Sequence, residues 1–210
     1  MTTKERITEE ALTLFAEKGY KGTSVKNIAD AVGMKDASLY HHFKSKQEIF
    51  DSIVELLFAH MDNLAKALKM PPYNQPYPSA AEFYAQLDLA GLQSLSRKVF
   101  LFYLTNPYFA KFWRIAHMEQ YSNPQIYQIY EKIFMEDSIA YQEKLFQSMI
   151  DQGIFYPADA KAMAINFYAP IFFLLSKYND RPEQKAEALE LLDRQIAEFY
   201  RVYRKKDETL

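Results

Sequence analysis

Apolar residues along this chain recur at steps of three and four, the spacing that places side chains on one face of an α-helix. In the first such segment, from about residue 4 to 18, the apolar stripe consists of Ile7, Ala11, Leu14 and Phe15. The strict alternation of a half-buried β-strand does not occur. The pattern therefore predicts an all-α protein with about nine helices.

Capping residues, glycine and proline divide this pattern into separate helices. After the first helix, the predicted segments cover about 24–32, 35–42, 45–69, 79–104, 108–120, 124–152, 158–178 and 182–204. The segment MPPYNQPYP, between the fourth and fifth helices, is predicted to be a loop because proline cannot continue a helix.

The segment from residue 24 to 46, SVKNIADAVGMKDASLYHHFKSK, reads as two short helices joined by a glycine turn. Leu39 and Phe43 are four residues apart, so they share a face that we expect to pack on the first two helices. Ser38 and His41 then point away from that core. This is the layout of a DNA-reading helix-turn-helix, in which the first helix supports the second and the second exposes hydrogen-bonding side chains.

The stretch from residue 11 to 50, ALTLFAEKGYKGTSVKNIADAVGMKDASLYHHFKSKQEIF, resembles the TetR family of bacterial transcription regulators. The residues that carry the resemblance are Phe15, Gly19, Thr23, Ile28, Ala29, Gly33, Leu39, Tyr40, Phe43 and Lys46. The resemblance implies an N-terminal DNA-binding domain, residues 1–48, and an effector-binding and dimerisation domain, residues 49–210. It also implies DNA contacts at Ser24, Lys26, Lys35, Ala37, Ser38, Tyr40, His41, His42 and Lys46.

The chemistry of these side chains indicates how the contacts would divide. Ser24 and Lys46, each at a helix start, and Tyr40 are placed for phosphate. Base edges would be read by Lys35, Ala37, Ser38 and His41, since lysine suits guanine acceptors and alanine suits the thymine methyl group. Asp36 would repel phosphate and is interpreted instead as the N-cap of the third helix.

The last two predicted helices carry continuous apolar stripes, which are typical of helices that pair with other helices. The residues predicted to form a dimer interface are Phe167, Ile171, Leu174, Leu189, Leu192, Ile196, Phe199 and Tyr203. Two such helices from each subunit would make a four-helix interface. The alternative is that one stripe belongs only to the core of its own chain.

Aromatic residues are abundant, with 16 Tyr, 16 Phe and one Trp. We expect some of them to line a pocket for a small effector that is apolar or aromatic, or a cation held by aromatic rings. The candidates are Phe100, Tyr103, Phe112, Trp113, His117, Tyr127, Phe134, Tyr141 and Phe172. For each of them the alternative is core packing, where aromatic residues at helical spacing are found more often.

Composition narrows the function classes further. The formal net charge is −2, so DNA affinity must come from a local basic patch that dimerisation doubles. Cysteine is absent, and His41 and His42 diverge by about 100° on a helix, so they cannot chelate together. No catalytic or cofactor motif occurs. Neither a metal, nor a cofactor, nor an enzymatic activity is therefore expected.

The longest apolar run, 167–175, is shorter than the roughly 20 residues that span a bilayer. The N-terminus also lacks the apolar core of a signal peptide, so a cytoplasmic protein is expected. The sequence as a whole predicts a homodimeric repressor that reads a near-palindromic operator and is released by an effector. The alternative is a DNA-binding regulator whose C-terminal domain binds a protein partner.

Overall fold

A computed structural model describes residues 1–71, 76–179 and 181–205. The α-helices are α1 Thr3–Lys18, α2 Val25–Ala31, α3 Asp36–Tyr40, α4 Lys46–Ala67, α5 Tyr77–Ala85, α6 Leu89–Thr105, α7 Pro107–Glu119, α8 Pro124–Glu131, α9 Asp137–Asp151, α10 Ala160–Tyr178 and α11 Lys185–Tyr203. A π-helical turn, Lys132–Glu136, joins α8 to α9, and a 3₁₀ turn, Pro182–Gln184, precedes α11. Across these residues the β-type pairing is a single isolated bridge between Phe155 and Arg204, which confirms the predicted all-α class.

The predicted helix over 79–104 is wrong in one respect, because it is two helices. The Oδ1 atom of Asp88 accepts the backbone N–H of Gly91 at 2.7 Å, and this cap starts α6. Apolar periodicity continues across the break, so it did not reveal the break. The predicted loop MPPYNQPYP falls partly on residues 72–75, which lie outside the described residues, and Pro78 lies in the first turn of α5.

The described chain divides into two compact units. The first contains residues 1–63 and 107–130, and the second contains residues 64–106 and 131–210. This division differs from the expected boundary after residue 48, because the first part of α4 and the whole of α7 group with α1. Sequence order alone could not reveal that α7 packs beside a helix about 100 residues earlier.

The first unit has a core of side chains from α1, α2, α3, α4 and α7. Phe15, Phe50 and Phe112 are fully buried, and the ring of Phe50 stacks on that of Phe112 at 6.1 Å between centroids. The same ring lies 6.5 Å from that of Phe15. These contacts join α1, α4 and α7 into one apolar interior.

The second unit has an aromatic core built from α5, α9, α10 and α11. Phe199 lies near its centre, with ring centroids 4.9 Å from Phe167 and 5.2 Å from Phe146. Helix α6 is joined to α11 by an ion pair between Arg97 and Asp193. The described helices include none that is long and apolar enough to cross a membrane.

The predicted dimer interface needs correction at four positions. Leu174, Leu192, Ile196 and Phe199 are all at least 95% buried within a single chain, so they leave almost no surface for a partner. They form the stripe that packs inside the second unit. Ile171, Leu189, Phe167 and Tyr203 remain partly exposed, and Phe173 of α10 is 61% exposed.

Candidate nucleic-acid interface

The start of α2 is closed by a capping box. The Oγ atom of Ser24 accepts the backbone N–H of Asn27 at 3.1 Å, and the Oδ1 atom of Asn27 accepts the backbone N–H of Ser24 at 2.9 Å. Both the serine and the neighbouring Lys26 are exposed. These two exposed side chains lie at the N-terminus of α2, the end of a helix that attracts an anion.

The turn between α2 and α3 has one tightly determined geometry. Gly33 has φ +70°, a left-handed conformation that side-chain-bearing residues rarely adopt. The backbone N–H of Met34 returns to the carbonyl of Ala29 at 2.9 Å, and Arg6 of α1 donates to the carbonyl of Val32 at 3.0 Å. The turn is therefore tied both to α2 and to α1.

Helix α3 faces as predicted. Leu39 and Phe43 are 0% and 1% exposed, respectively, and pack into the core of the first unit. The exposed side chains include those of Lys35, Ala37, Ser38, Tyr40, His41 and His42, together with the acidic Asp36. A buried apolar anchor thus presents a surface of mainly small, hydrogen-bonding and basic groups, which is the arrangement that a recognition helix requires.

The expectation that Asp36 caps α3 is wrong. Lys35 occupies the cap position without a side-chain hydrogen bond, and Asp36 is the first helical residue. The carbonyl of Lys35 already accepts the N–H groups of Ser38 and Leu39, at 2.9 and 3.2 Å. Helical hydrogen bonding therefore begins one residue earlier than the capping preference indicated.

Lys46 is the one predicted DNA-contact residue that is only partly exposed. Its Nζ donates to the backbone carbonyls of Tyr20 and Thr23 at 2.8 and 2.9 Å. It also lies 4.3 Å from the centroid of the Tyr20 ring. Burial lowers the pKa of Lys46, and the negative charge of Glu119 acts in the opposite direction. Two of its three N–H donors are thus engaged within the chain.

Glu119 has a position in this region that the sequence did not predict. It is 3% exposed at the end of α7. Its Oε1 accepts the backbone N–H of Tyr20 at 2.8 Å, and its Oε2 accepts the hydroxyl of Ser122 at 2.7 Å. In the sequence it stands among polar and aromatic residues, a setting that indicates a surface or a pocket and gives no sign of this burial.

The effector-pocket candidates fall in both units. In the first unit, the ring of Trp113 stacks on that of His117 at 5.5 Å, as expected for residues that share a helical face. Tyr130 contacts both rings, and Tyr127 lies 5.8 Å from Tyr130. Phe112 is instead fully buried against Phe50, so its surroundings are those of a core residue.

In the second unit, Tyr168 lies next to three pocket candidates, Phe134, Phe172 and Tyr103. Its hydroxyl donates to the carbonyl of Phe134 in the π-helical turn at 2.6 Å, and its ring lies 6.2 Å from that of Phe172. Burial raises the pKa of Tyr168 to about 12. Burial also raises the pKa of Tyr103, with a smaller contribution from Tyr168. Tyr168 is not among the candidates named from the sequence, because no local pattern marks it as this junction.

The remaining two candidates sit in different surroundings. Phe100 is 2% exposed in α6, and Tyr141 packs its ring 5.8 Å from that of Tyr77. A hydrogen bond involving Tyr141 adds to burial in raising the pKa of Tyr84. Among the described residues, no cluster of His, Cys, Asp or Glu has the geometry to hold a metal ion.

Residues 7–53 match the family described as bacterial regulatory proteins, tetR family. A relative is the biofilm operon icaADBC HTH-type negative transcriptional regulator IcaR of Staphylococcus aureus (strain Newman). It is 46% identical over 61 residues, which make up 29% of this chain and 33% of the relative. The similarity thus spans only about a third of the relative's length.

Solved structures extend the likeness to nearly the whole chain. SmeT, the repressor of the Stenotrophomonas maltophilia multidrug efflux pump SmeDEF, is 20% identical with a TM-score of 0.65, covering 100% of this chain and 94% of that one. A SmeT–triclosan complex gives a TM-score of 0.68 at 21% identity, with coverage of 100% and 95%. A regulator from Saccharomonospora viridis in complex with choline gives 0.63 at 19% identity, with coverage of 97% and 98%. At such identities the likeness shows a shared fold.

Proposed function

The chain belongs to the TetR family of bacterial regulatory proteins, and from this premise we propose that it represses transcription by binding DNA through α2 and α3. The observation that carries the proposal is the orientation of α3. Leu39 and Phe43 are buried, while Ser38 and His41, on the opposite side, are exposed. A surface held this rigidly can enter a major groove without losing its packing.

Two kinds of contact would hold the DNA. Ser24, Lys26 and Tyr40, with the amides at the start of α2, bind phosphates and set the position of the protein on the duplex. The base edges are read by Lys35, Ala37, Ser38 and His41, with His42 alongside. Lysine supplies donors for guanine acceptors, and the alanine methyl packs on a thymine methyl.

The protein acts as a homodimer in this proposal. The apolar side chains of α10 and α11 that remain exposed in one chain are available for a second copy, among them Ile165, Phe173 and Val202 at 43%, 61% and 44% exposure. A two-fold dimer places its two recognition helices about 34–36 Å apart, so its operator is a near-palindrome. Such a regulator works in the cytoplasm, where bacterial DNA is found.

A small apolar or aromatic molecule would release the protein from DNA. The groups around Trp113 and around Tyr168 offer aromatic surface, and the structural relatives include complexes with triclosan and with choline. Helix α4, which begins beside the DNA-binding surface, can carry the displacement. Coupling of this kind is typically about 1–3 kcal/mol.

The second candidate is a regulator whose C-terminal region binds a protein. The exposed Phe173 and Tyr156 are the observation in its favour, because apolar side chains in water mark contact surfaces. Titrating the DNA complex with apolar and aromatic cationic compounds distinguishes the two. Loss of DNA binding when a compound is added supports a small effector. Loss of DNA binding only when a cell protein, identified by its mass, is added supports a protein partner.

The central proposal is tested by enriching a duplex from a random-sequence pool with the full-length protein. We expect a near-palindromic site, and we expect Ser38→Ala to shift its preferred bases. Ser94→Ala, an exposed serine of α6 in the second unit, is the matched control and should select the same site as the wild type. A pool that shows no enrichment, or an unchanged site for Ser38→Ala, would contradict the proposal or its assignment of base contacts, respectively.

A further inference from the structure

The turn between α1 and α2 is held by charged side chains from two other helices. The backbone N–H of Tyr20 donates to Glu119 at the end of α7, at 2.8 Å. The backbone carbonyl of the same residue accepts from Lys46 at the start of α4, also at 2.8 Å. Both backbone polar groups of one turn residue are therefore bound, and the turn cannot move without breaking one of these bonds.

The contacts around Glu119 leave this carboxylate little freedom. Gly19 precedes the turn at φ +76°, and a Cβ atom added there would lie 3.1 Å from the Oε1 atom of Glu119. A neighbouring bond runs from the Nζ of Lys21 to the carbonyl of Ser122 at 2.6 Å. A second turn, directly after α7, is thus fastened to the first.

The ring of Tyr20 completes the junction. It lies 5.1 Å from the ring of Phe15 in α1 and 5.7 Å from that of Phe50 in α4. Its hydroxyl donates to the side chain of Gln47 at 3.3 Å. The ammonium of Lys46 sits over the ring, so the lysine contacts this residue through both its carbonyl and its π face.

The turn leads directly into the DNA-binding surface. Lys46 also binds the carbonyl of Thr23 at 2.9 Å, and the next residue, Ser24, is the N-cap of α2. The hydroxyl of Thr23 donates to the carbonyl of Gly19 at 2.9 Å, which keeps the turn closed. The first turn of α2 therefore takes its position from Lys46 and Glu119.

We infer that Glu119 and Lys46 are positioning residues for DNA binding: together they hold the turn at 19–24 and so place the start of α2, without themselves contacting the duplex. The inference rests on the proposed function. It gives Lys46 a role different from the phosphate contact expected from sequence. A phosphate would have to draw its ammonium away from two backbone carbonyls and an aromatic face.

The first test measures hydrogen exchange at the Tyr20 amide in the full chain. We expect Glu119→Ala to speed exchange at this amide by at least about tenfold, because the amide loses its acceptor. Glu119→Gln keeps a carbonyl acceptor and should restore most of the protection. Asp88→Ala is the matched control, since Asp88 also accepts a backbone N–H at 2.7 Å but in the second unit. It should leave Tyr20 unchanged.

The second test measures affinity for the enriched duplex as a function of salt. Lys46→Met removes the ammonium and keeps the alkyl chain, and we expect about tenfold weaker binding with an unchanged salt slope. Lys26→Met is the comparison, because loss of the exposed Lys26 should reduce the magnitude of the salt slope by about one. A salt slope whose magnitude falls by about one for Lys46→Met would overturn the inference and would indicate that Lys46 contacts a phosphate.

Two other results would also overturn it. One is a Tyr20 amide that stays protected in Glu119→Ala. The other is faster exchange in that variant with unchanged DNA affinity. Failure to enrich any duplex would refute the proposed function instead, and exchange at Tyr20 would still decide whether Glu119 holds the turn. If Glu119→Ala does not fold, hydrogen exchange at Tyr20 and DNA affinity are measured with Lys46→Met and Glu119→Gln instead.

Discussion

Two of the polar side chains buried in the first unit, Thr23 and Glu119, close a turn, whereas the polar side chains buried in the second unit are mainly phenols among other aromatic rings. Thr23 and Glu119 bind backbone groups of a single turn. Tyr103 and Tyr168 lie instead within an aromatic interior, where burial raises their pKa. A turn requires particular residues at particular positions, but an aromatic interior can be filled by many combinations.

This difference explains where similarity to other proteins is found. The family match covers residues 7–53, the part of the first unit that contains the glycine turns, the caps and the anchors of α3. Across the whole chain, the second unit included, the fold is shared with solved structures at about 20% identity. Packing volume can be conserved while residue identity is not, whereas a left-handed glycine or a buried threonine hydroxyl has few substitutes.

The largest expected effect lies in the aromatic core of the second unit. Phe199→Ala should lower the free energy of unfolding by about 3–5 kcal/mol, because the ring leaves a cavity among Phe146, Phe155 and Phe167. Denaturant unfolding of the full chain measures the loss. Tyr156→Ala, at a position that is 47% exposed, should cost less than about 1 kcal/mol. Equal losses for the two variants would show that Phe199 is not a core residue.

An effect that is intermediate per residue is expected at alkaline pH. The tyrosines of an unfolded chain ionise near pH 10, whereas burial holds the pKa of Tyr168 at about 12 and raises that of Tyr84 and Tyr103. Their contribution to stability is complete below pH 10 and falls as the pH rises further, by up to about 1.4 kcal/mol per pH unit for each tyrosine, until the pH reaches the pKa of that tyrosine in the folded protein. Unfolding measured between pH 9 and about 11.5 gives the slope.

The same titration followed by tyrosine absorbance identifies the groups. Tyr168→Phe should remove one late-ionising phenol and make the fall in stability less steep. Ionisation of all tyrosines near pH 10 in the folded protein would contradict the buried placement of these rings.

The smallest expected effect concerns a turn of the first unit. Thr23→Val removes a hydroxyl that donates to the carbonyls of Gly19 and Leu14 at 2.9 and 3.2 Å, with little change in volume. We expect a loss of about 1–3 kcal/mol in stability. Thr23→Ser restores the hydroxyl and should recover most of it. Recovery by serine separates the hydrogen bond from packing, and a fully stable valine variant would refute the role of this hydroxyl.

Rules based on neighbouring residues predicted the first unit more completely than the second. The spacing of Leu39 and Phe43 predicted the buried face of α3, which is confirmed. Prediction failed at Asp36, which does not take the cap position that residue preference indicated, and at Asp88, where apolar periodicity continued across a helix break. In the second unit, apolar stripes at steps of three and four identified α10 and α11. They could not distinguish the stripe that packs inside the chain, with Leu192 and Ile196, from the stripe left exposed.

The amino-acid sequence by itself determined the helical class, the turn at Gly33 and the inward face of α3, because these depend on residues within a few positions of one another. Only the tertiary structure decided that Glu119 and Lys46 meet at Tyr20 and that Phe134 and Tyr168 meet at the π-helical turn. The partners in these contacts are separated by up to about 100 residues along the chain. Their proximity follows from how whole helices pack, which no local pattern encodes.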